Sequence, residues 1–193
     1  MVERQAIFGS ADFSSDGLRR RRLDRWWEDG PRALYCMANP SDAGIERNDP
    51  TVLQIVGISR RCGYPGLTVV NASDRVASDA KAHERWRSAM QWNQPDDWNA
   101  IFEANLALIR AVSTGAAIRI VAWGNLVPAG REQNAVLAAL SHDGAFDLYA
   151  LGFTQDGVPK HPLARGKHRL AADVVPVLWR SANPNPNPDG AEP

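Results

Sequence analysis

The chain has 193 residues, of which 44% are hydrophobic and 23% are charged, with 22 basic residues balancing 22 acidic ones. This size and composition predict a globular domain with a substantial core, and the zero net charge argues against a general attraction to nucleic acid or to an anionic membrane. Two cysteines outside any CxxC pair argue against a disulfide framework, a structural zinc site and a four-cysteine iron–sulfur cluster. The first ten residues have no apolar signal core and no run reaches membrane-spanning length, so we expect a soluble, cytoplasmic protein without a membrane partner.

The predicted elements begin with an N-terminal edge hairpin in FSSDGLRRRRLDRWW, with Asp16-Gly17 as its turn. Four short apolar runs then alternate with stretches in which apolar residues recur at helical spacing. The predicted strands are 33–38, 67–71, 117–124 and 146–152, and the predicted helices are 51–63, 96–115, 131–140 and 168–180, the last of them bent or interrupted at Pro176.

This alternation predicts an α/β fold, a three-layer sandwich with a mainly parallel sheet of about four strands plus the N-terminal edge hairpin. We expect residues 1–180 to form a single domain. The C-terminal segment 181–193, SANPNPNPDGAEP, has little to bury and is predicted to be a disordered tail.

Polar residues follow each of the four predicted strands. In an open parallel sheet, ligands bind beyond the carboxyl ends of the strands, so these residues are expected to line one crevice. The alternative is that they belong to ordinary strand-to-helix loops, which are commonly polar. In chain order, the candidate residues are Asn39, Pro40, Ser41, Asp42, Asn71, Asp74, Arg75, Gly124, Asn125, Lys160, His161, Pro162 and Arg165.

The side chains after the first two strands suggest two kinds of chemistry. Asn39 and Asn71 each carry an amide, which can read the edge of a nucleobase or orient a water molecule. Asp42 and Asp74 can act as bases, although both positions also suit helix caps.

The loop after the fourth strand adds an imidazole and several cations. His161 lies between two prolines and can donate to a developing anion or to a phosphate, or it can be an exposed loop histidine. Lys160 and Arg165 belong to the basic run KHPLARGKHR, which is a candidate phosphate clamp or a solvated surface.

Familiar cofactor-binding and catalytic motifs are absent from the sequence. It contains no GxxxxGK[ST] loop, no GxGxxG after a strand and no GxSxG elbow, and its histidines lack the spacing of a catalytic metal site. No cofactor and no metal are therefore predicted. The tryptophans of WRSAMQWNQPDDW can stack on bases, although core packing explains tryptophan more often.

The order of these motifs resembles the bacterial and phage family of proteins of unknown function numbered 1643. The resemblance covers about residues 6–178 and includes ALYCMANPSDAG, RCGYPGLTVVNASDRVASD, IVAWG and LGFTQDGVPKHPL. Members usually have Leu before the Asn of the NPS motif, where this chain has Ala38, and an aromatic or Leu-Phe pair where it has Ala72-Ser73. The lining of the crevice is expected to differ accordingly.

The layout is also remotely similar to the uracil-DNA glycosylase superfamily, in which a first-strand motif ends in Asn-Pro or Asp-Pro and a late loop contains His-Pro-Ser. This resemblance implies that Asn39 positions water or contacts the base and that His161 stabilises negative charge on the departing base. Met37 stands where that superfamily often has Gly, Leu163 replaces the Ser, and no aromatic follows Pro40 closely.

Two functions follow as hypotheses. The first is an enzyme that acts on a nucleobase, nucleotide or nucleic acid, cleaving an N-glycosidic bond with Asn39, Asp42 and His161 as its catalytic residues. The second is a non-catalytic module that binds a nucleotide or nucleic acid through the same crevice. A third possibility is an interaction domain whose polar strand ends are simple loops. The sequence indicates no oligomeric state.

Overall fold

The computed structural model describes residues 6–41, 43–44, 47–77 and 79–183. The described residues form one mixed sheet with helices on both faces. The strands are β1 Phe8–Phe13, β2 Arg20–Trp26, β3 Ala33–Met37, β4 Gly66–Asn71, β5 Ile118–Val121, β6 Leu148–Ala150 and β7 Val177–Arg180, and the helices are α1 Pro50–Arg61, α2 Ala80–Asn93, α3 Pro95–Thr114 and α4 Arg131–Ser141.

The sheet has the order β1-β2-β4-β3-β5-β6-β7, and its centre is parallel. Strands β4, β3, β5 and β6 run parallel to one another, with Met37 opposite Asn71 and Cys36 opposite Val121. Every residue of β3, β4 and β5 is buried. Continuous apolar runs of this kind suit a sheet that is covered on both faces, and the four central strands are confirmed close to their predicted positions.

The two faces of the sheet carry separate hydrophobic cores, as the period of two along a strand requires. Tyr35 and Met37 pack with α1 on one face, whereas Leu34 and Cys36 pack with α3 and α4 on the other. The thiol of Cys36 has no exposed surface, and burial raises its pKa to about 12, so it is an inert core residue. Helices on both faces make the three layers expected from the sequence.

The N-terminal hairpin is confirmed at one edge of the sheet. Gly17 has a φ of +68° in the turn, and the backbone N–H of Leu18 donates to Asp16 Oδ1 at 3.0 Å. Strand β2 then pairs with β4, which brings its buried arginines over the loop that follows β3. Arg20 donates to Ala43 O at 2.6 Å, and Arg25 donates to Gly44 O at 2.5 Å, so β2 anchors this loop.

The predicted helix over 168–180 is wrong. Gly166–His168 forms a single 3-10 turn, and Val177–Arg180 forms β7, which pairs antiparallel with β6. Pro176 lacks the N–H that a helix interior requires, and it directly precedes a β-branched residue at the start of an edge strand. The sheet therefore has seven described strands instead of about four plus the hairpin.

Helix α2 was not predicted from the sequence, and the C-terminal segment is described only at its start. The backbone N–H of Ala182 donates to Asp147 Oδ1 at 2.6 Å, and that of Asn183 donates to Gly144 O at 2.7 Å. Residues 184–193 of the expected disordered tail lie outside the described residues. No helix in the described part of the chain has the length and apolar character needed to cross a membrane.

Candidate functional site

The loops after β3 and β4 are joined into one structure at the carboxyl edge of the sheet. Backbone N–H groups of Ala72 and Ser73 donate to Met37 O and Ala38 O at 2.8 and 2.9 Å. The N–H of Ala77 donates to Pro40 O at 2.9 Å. The first two polar clusters of the sequence therefore lie side by side.

The loops after β5 and β6 are joined in the same way. The N–H of Gly124 donates to Pro159 O at 3.1 Å, and that of Lys160 donates to Gly152 O at 2.9 Å. Gly124 has a φ of +62°, and a Cβ added there would lie 3.2 Å from His161 Cβ. Glycine therefore suits position 124, because a larger residue there would be strained by the positive φ and crowded against His161.

The two pairs of loops meet where the connections diverge. The loop after β3 leads to α1 on one face of the sheet, whereas the loop after the adjacent strand β5 leads to α4 on the other. Diverging loops of this kind leave a crevice between neighbouring parallel strands.

A pocket that is partly open to solvent lies at this edge on the α3–α4 side, and we call it the edge pocket. Its empty space, including the part open to solvent, is about 610 Å³. Its polar lining residues are Asn39, Ser73, His83, Glu84, Arg87 and Glu132, and its apolar lining residues are Ala38, Ala72, Trp98, Phe102, Leu126, Val127, Pro128 and Val136.

Asn39 reaches the edge pocket with its amide held in a fixed orientation. Its Nδ2 donates to Ala77 O at 2.8 Å and to Pro40 O at 3.1 Å. Because both amide hydrogens are used, the group that Asn39 can offer to a ligand is the Oδ1 acceptor.

Ser73 and His83 form a hydrogen-bonded pair in the same pocket, with Nε2 of His83 2.9 Å from Ser73 Oγ. Burial, reinforced by the Arg87 guanidinium, lowers the pKa of His83. The Ser73 hydroxyl can donate to Nε2 of the neutral ring, and Ser73 Oγ also accepts the backbone N–H of Arg75 at 3.4 Å.

The outer wall of the edge pocket is an ionic contact between α2 and α4. Arg87 donates to Glu84 and to Glu132, each at 2.9 Å, and Gln91 also donates to Glu132. The hydrogen bond between Arg87 and Glu84 is the main reason that the pKa of Arg87 is raised. These contacts hold the otherwise polar helix α2 beside the pocket.

The aromatic wall of the edge pocket comes from α3. Trp98 and Phe102 are stacked with ring centroids 6.0 Å apart and an interplanar angle of 8°, and Trp86 meets Trp98 edge-on at 5.9 Å. The sequence offered no aromatic close to Pro40, and these rings reach the site through packing. Trp92, by contrast, is 88% exposed.

His161 does not line the edge pocket; it lies beside Gly124 and close enough to Asp49 for the two charges to interact. The backbone N–H of Leu163 donates to its Nδ1 at 3.1 Å, so the neutral ring carries its proton on Nε2. Burial lowers the pKa of His161, and Asp49 opposes this shift. Ser41 donates to the Asp49 carboxylate, which also caps α1 by accepting the N–H of Val52 at 2.7 Å.

The remaining candidate residues occupy different environments. Asn71 is 1% exposed, and its side-chain amide has no hydrogen-bond partner among the described residues. Asp74 is also buried, and burial raises its pKa against three nearby arginines. Pro40 and Pro162 are buried, Lys160 is half-buried, Asn125 and Arg165 are exposed, Arg75 packs over Trp86, and Asp42 lies outside the described residues.

The lowered pKa of His161 predicts a pH dependence of stability. Between the folded-state pKa and about 6.5, the unfolded chain binds a proton that the folded chain does not, so the free energy of unfolding falls as the pH falls through this window. Urea unfolding of His161→Gln between pH 7 and 5.5 should show a shallower fall than the wild type. His83 acts in the same direction, so the double variant with His83→Gln should be the least pH-dependent. Equal slopes for all three proteins would contradict this prediction.

Comparison with family models matches residues 20–163, more than half of the chain, to the family described as protein of unknown function (DUF1643). The chain belongs to the DUF1643 family. The match includes β2 to β6 and His161, and therefore all the loops that form the edge pocket of this DUF1643 protein. Comparison with curated proteins and with solved structures gives no match. The likeness to uracil-DNA glycosylases thus depends on the motifs alone.

Proposed function

We propose that this DUF1643 protein binds a nucleobase, carried on a nucleotide or a nucleic acid, in the edge pocket. The observation that carries this proposal is the combination of a fixed Asn39 amide with the stacked rings of Trp98 and Phe102 in one pocket. An acceptor such as Asn39 Oδ1 can accept a hydrogen bond from an imide N–H or an exocyclic amine of a base. Aromatic side chains in the wall can stack on the planar ring of the base.

A thermal-shift screen against nucleosides, nucleotides and short single- and double-stranded oligonucleotides tests this function. Stabilisation by any base-containing ligand, absent for ribose 5-phosphate, is the expected result, because a ligand that binds the folded state alone raises the unfolding temperature. Failure of every such ligand to stabilise the protein would contradict the proposal.

Phe102→Leu should weaken binding of the base about tenfold, since stacking of a base on an aromatic ring contributes roughly 1–3 kcal/mol. Leucine preserves most of the apolar volume at the half-buried position 102. The matched control is Phe8→Leu, because Phe8 is 56% exposed on the edge strand β1. Titration calorimetry with the ligand found in the screen measures both effects, and equal losses in the two variants would argue against stacking.

His161 supports cleavage of an N-glycosidic bond as a second candidate. In this reaction water adds to the sugar carbon and gives up a proton to solvent, the carbon–nitrogen bond breaks, and the base leaves with the electron pair and then takes up a proton from solvent. The Nε2–H of the neutral His161 ring is suited to donate to such an anion, but His161 lies beside Gly124 outside the edge pocket, so this reaction requires the departing base to lie next to Gly124. Chromatography of each stabilising ligand after incubation tests it: free base would support cleavage, and an unchanged ligand would leave a binding module.

A further inference from the structure

The hairpin arginines lie at the same edge as the pocket. Strand β2 is antiparallel to β4, so its beginning lies beside the end of β4. Arg19 and Arg75 face each other in an isolated antiparallel bridge, and the backbone N–H of Arg20 donates to Asp74 O at 2.8 Å. The turn of the hairpin is thereby attached to the loop that follows β4.

A bulge in the hairpin separates the arginines that are structural from those that are free to bind. Asp12 pairs with Arg22 and Phe13 pairs with Arg20, so Arg21 is the extra residue. Arg20 is 3% exposed and donates to Ala43 O, whereas Arg21 is exposed. Burial lowers the pKa of Arg20 to about 10, as expected for a guanidinium that is part of the core.

The free arginines cluster about one carboxyl group. Arg19, Arg21 and Arg75 are all close enough to act electrostatically on the buried carboxyl of Asp74, and Arg19 also acts on Asp16. Among the described residues, none of these three arginines forms a salt bridge. This local excess of positive charge is not visible in the zero net charge of the chain.

Arg75 connects this cluster to the edge pocket. Its guanidinium carbon lies 5.1 Å from the centroid of the Trp86 ring, which contacts the pocket residue Trp98. Its backbone N–H donates to Ser73 Oγ, and Ser73 also lines the pocket. Arg75 is thus linked to the wall of the pocket through Trp86 and Ser73.

We propose that Arg19, Arg21 and Arg75 form a phosphate-binding patch for the ligand whose base occupies the edge pocket. The proposal rests on the proposed function and deepens it by assigning the residues that bind the phosphate of the nucleotide or nucleic-acid strand. Guanidinium groups suit this role because their fork of N–H donors matches phosphate oxygens. The phosphate can belong to a mononucleotide or to a strand backbone, since both present the same group.

The test compares three ligands with the same base: a nucleoside, its 5′-monophosphate and a short single-stranded oligonucleotide. Titration calorimetry is expected to show at least tenfold tighter binding of one phosphate-bearing ligand, and which of the two gains more identifies the source of the phosphate. Arg21→Gln and Arg75→Gln should each weaken that ligand about fivefold to tenfold without changing nucleoside affinity. Each should also reduce the slope of log affinity against log salt concentration by about 1 for the oligonucleotide.

Two further variants serve as controls. Arg61→Gln removes an exposed arginine at the end of α1 and should leave all affinities unchanged. Arg75→Lys retains the charge over Trp86 and should lose less affinity than Arg75→Gln. Arg21→Gln keeps the test valid if Arg75→Gln fails to fold, because Arg21 is exposed.

Three results would overturn the patch. Equal affinity for the nucleoside and both phosphate-bearing ligands would contradict the phosphate-binding patch but would still agree with base binding in the edge pocket. A phosphate effect that disappears in Arg165→Gln but persists in Arg21→Gln and Arg75→Gln would assign phosphate binding to the loop after β6 instead. No binding of any of the three ligands would refute the patch together with the proposed function.

Discussion

Asp24→Ala is expected to lower the free energy of unfolding by about 3 kcal/mol, because it removes the carboxylate that joins the N-terminal hairpin to the parallel sheet. Asp24 is 4% exposed and accepts from Thr68 Oγ1 on β4 at 2.7 Å. It also forms salt bridges with Arg22 at 2.8 Å and with Arg32 at 3.1 Å. Alanine leaves the Thr68 hydroxyl and both guanidinium groups without this partner.

Urea unfolding at pH 7 measures the effect, and Asp29→Ala is the matched control because Asp29 is exposed in the bend after β2. The control should change the free energy of unfolding by less than about 0.5 kcal/mol. Asp24→Asn keeps the size of the side chain and one acceptor oxygen, so its loss in free energy of unfolding should lie between those of Asp29→Ala and Asp24→Ala. A loss below about 1 kcal/mol for Asp24→Ala would show that water replaces the carboxylate without a large cost.

The parallel centre of the fold could be predicted because its signal is local. Strand β3 was predicted at 33–38 and is Ala33–Met37, and β4 was predicted at 67–71 and is Gly66–Asn71. Both strands are buried on two faces, so almost every residue in them is apolar. The apolar run in the sequence therefore ends close to the end of each strand. The turn at Asp16-Gly17 was a weaker signal than the strands, and the structure confirms it, since glycine suits the left-handed conformation at that position.

Helix α2 and strand β7 were missed because their stability comes from distant contacts. Helix α2 has no broad apolar face and is capped by Asp79, which accepts the N–H of Lys81 at 2.9 Å. It is held to α4 by the ion pair of Arg87 with Glu132, 45 positions away. Strand β7 follows helix-like spacing in the sequence, but Pro176 and the exposed edge beside β6 favour extended backbone there.

The same reasoning explains which part of the candidate site was visible in the sequence. Placing Asn39 and the residues after β4 together required only the rule that parallel strands end at one edge, and hydrogen bonds between their loops agree with it. Trp98, Phe102 and His83 were not assigned to the site, because α2 and α3 are brought there by packing. The clustered tryptophans of 86–98 were a partial signal, and they divided into Trp98 in the pocket and Trp92 in solvent.

Asn39→Ala is expected to weaken binding of the base-containing ligand by about 30-fold to 100-fold, or roughly 2–3 kcal/mol. The variant removes the Oδ1 acceptor, and a base N–H placed in the pocket would then lie unpaired in a partly apolar site. It also removes the donors to Pro40 O and Ala77 O, which should lower the free energy of unfolding by about 1 kcal/mol. Titration calorimetry below the unfolding transition separates the two effects.

Asn125→Ala is the matched control, because Asn125 is an exposed asparagine in the 3-10 turn Gly124–Leu126 at the same edge and does not line the pocket. It should change the affinity less than twofold. Asn39→Ala could lose about 1 kcal/mol in the free energy of unfolding and keep its affinity for the ligand. The amide would then only connect the loop after β3 to the loop after β4, and base recognition would have to come from Ser73 and His83. A large loss of affinity together with a loss of only about 1 kcal/mol in the free energy of unfolding would instead show that Asn39 contacts the ligand directly. A less stable loop alone would lower the affinity only in proportion to the fraction of the protein in which that loop is unfolded.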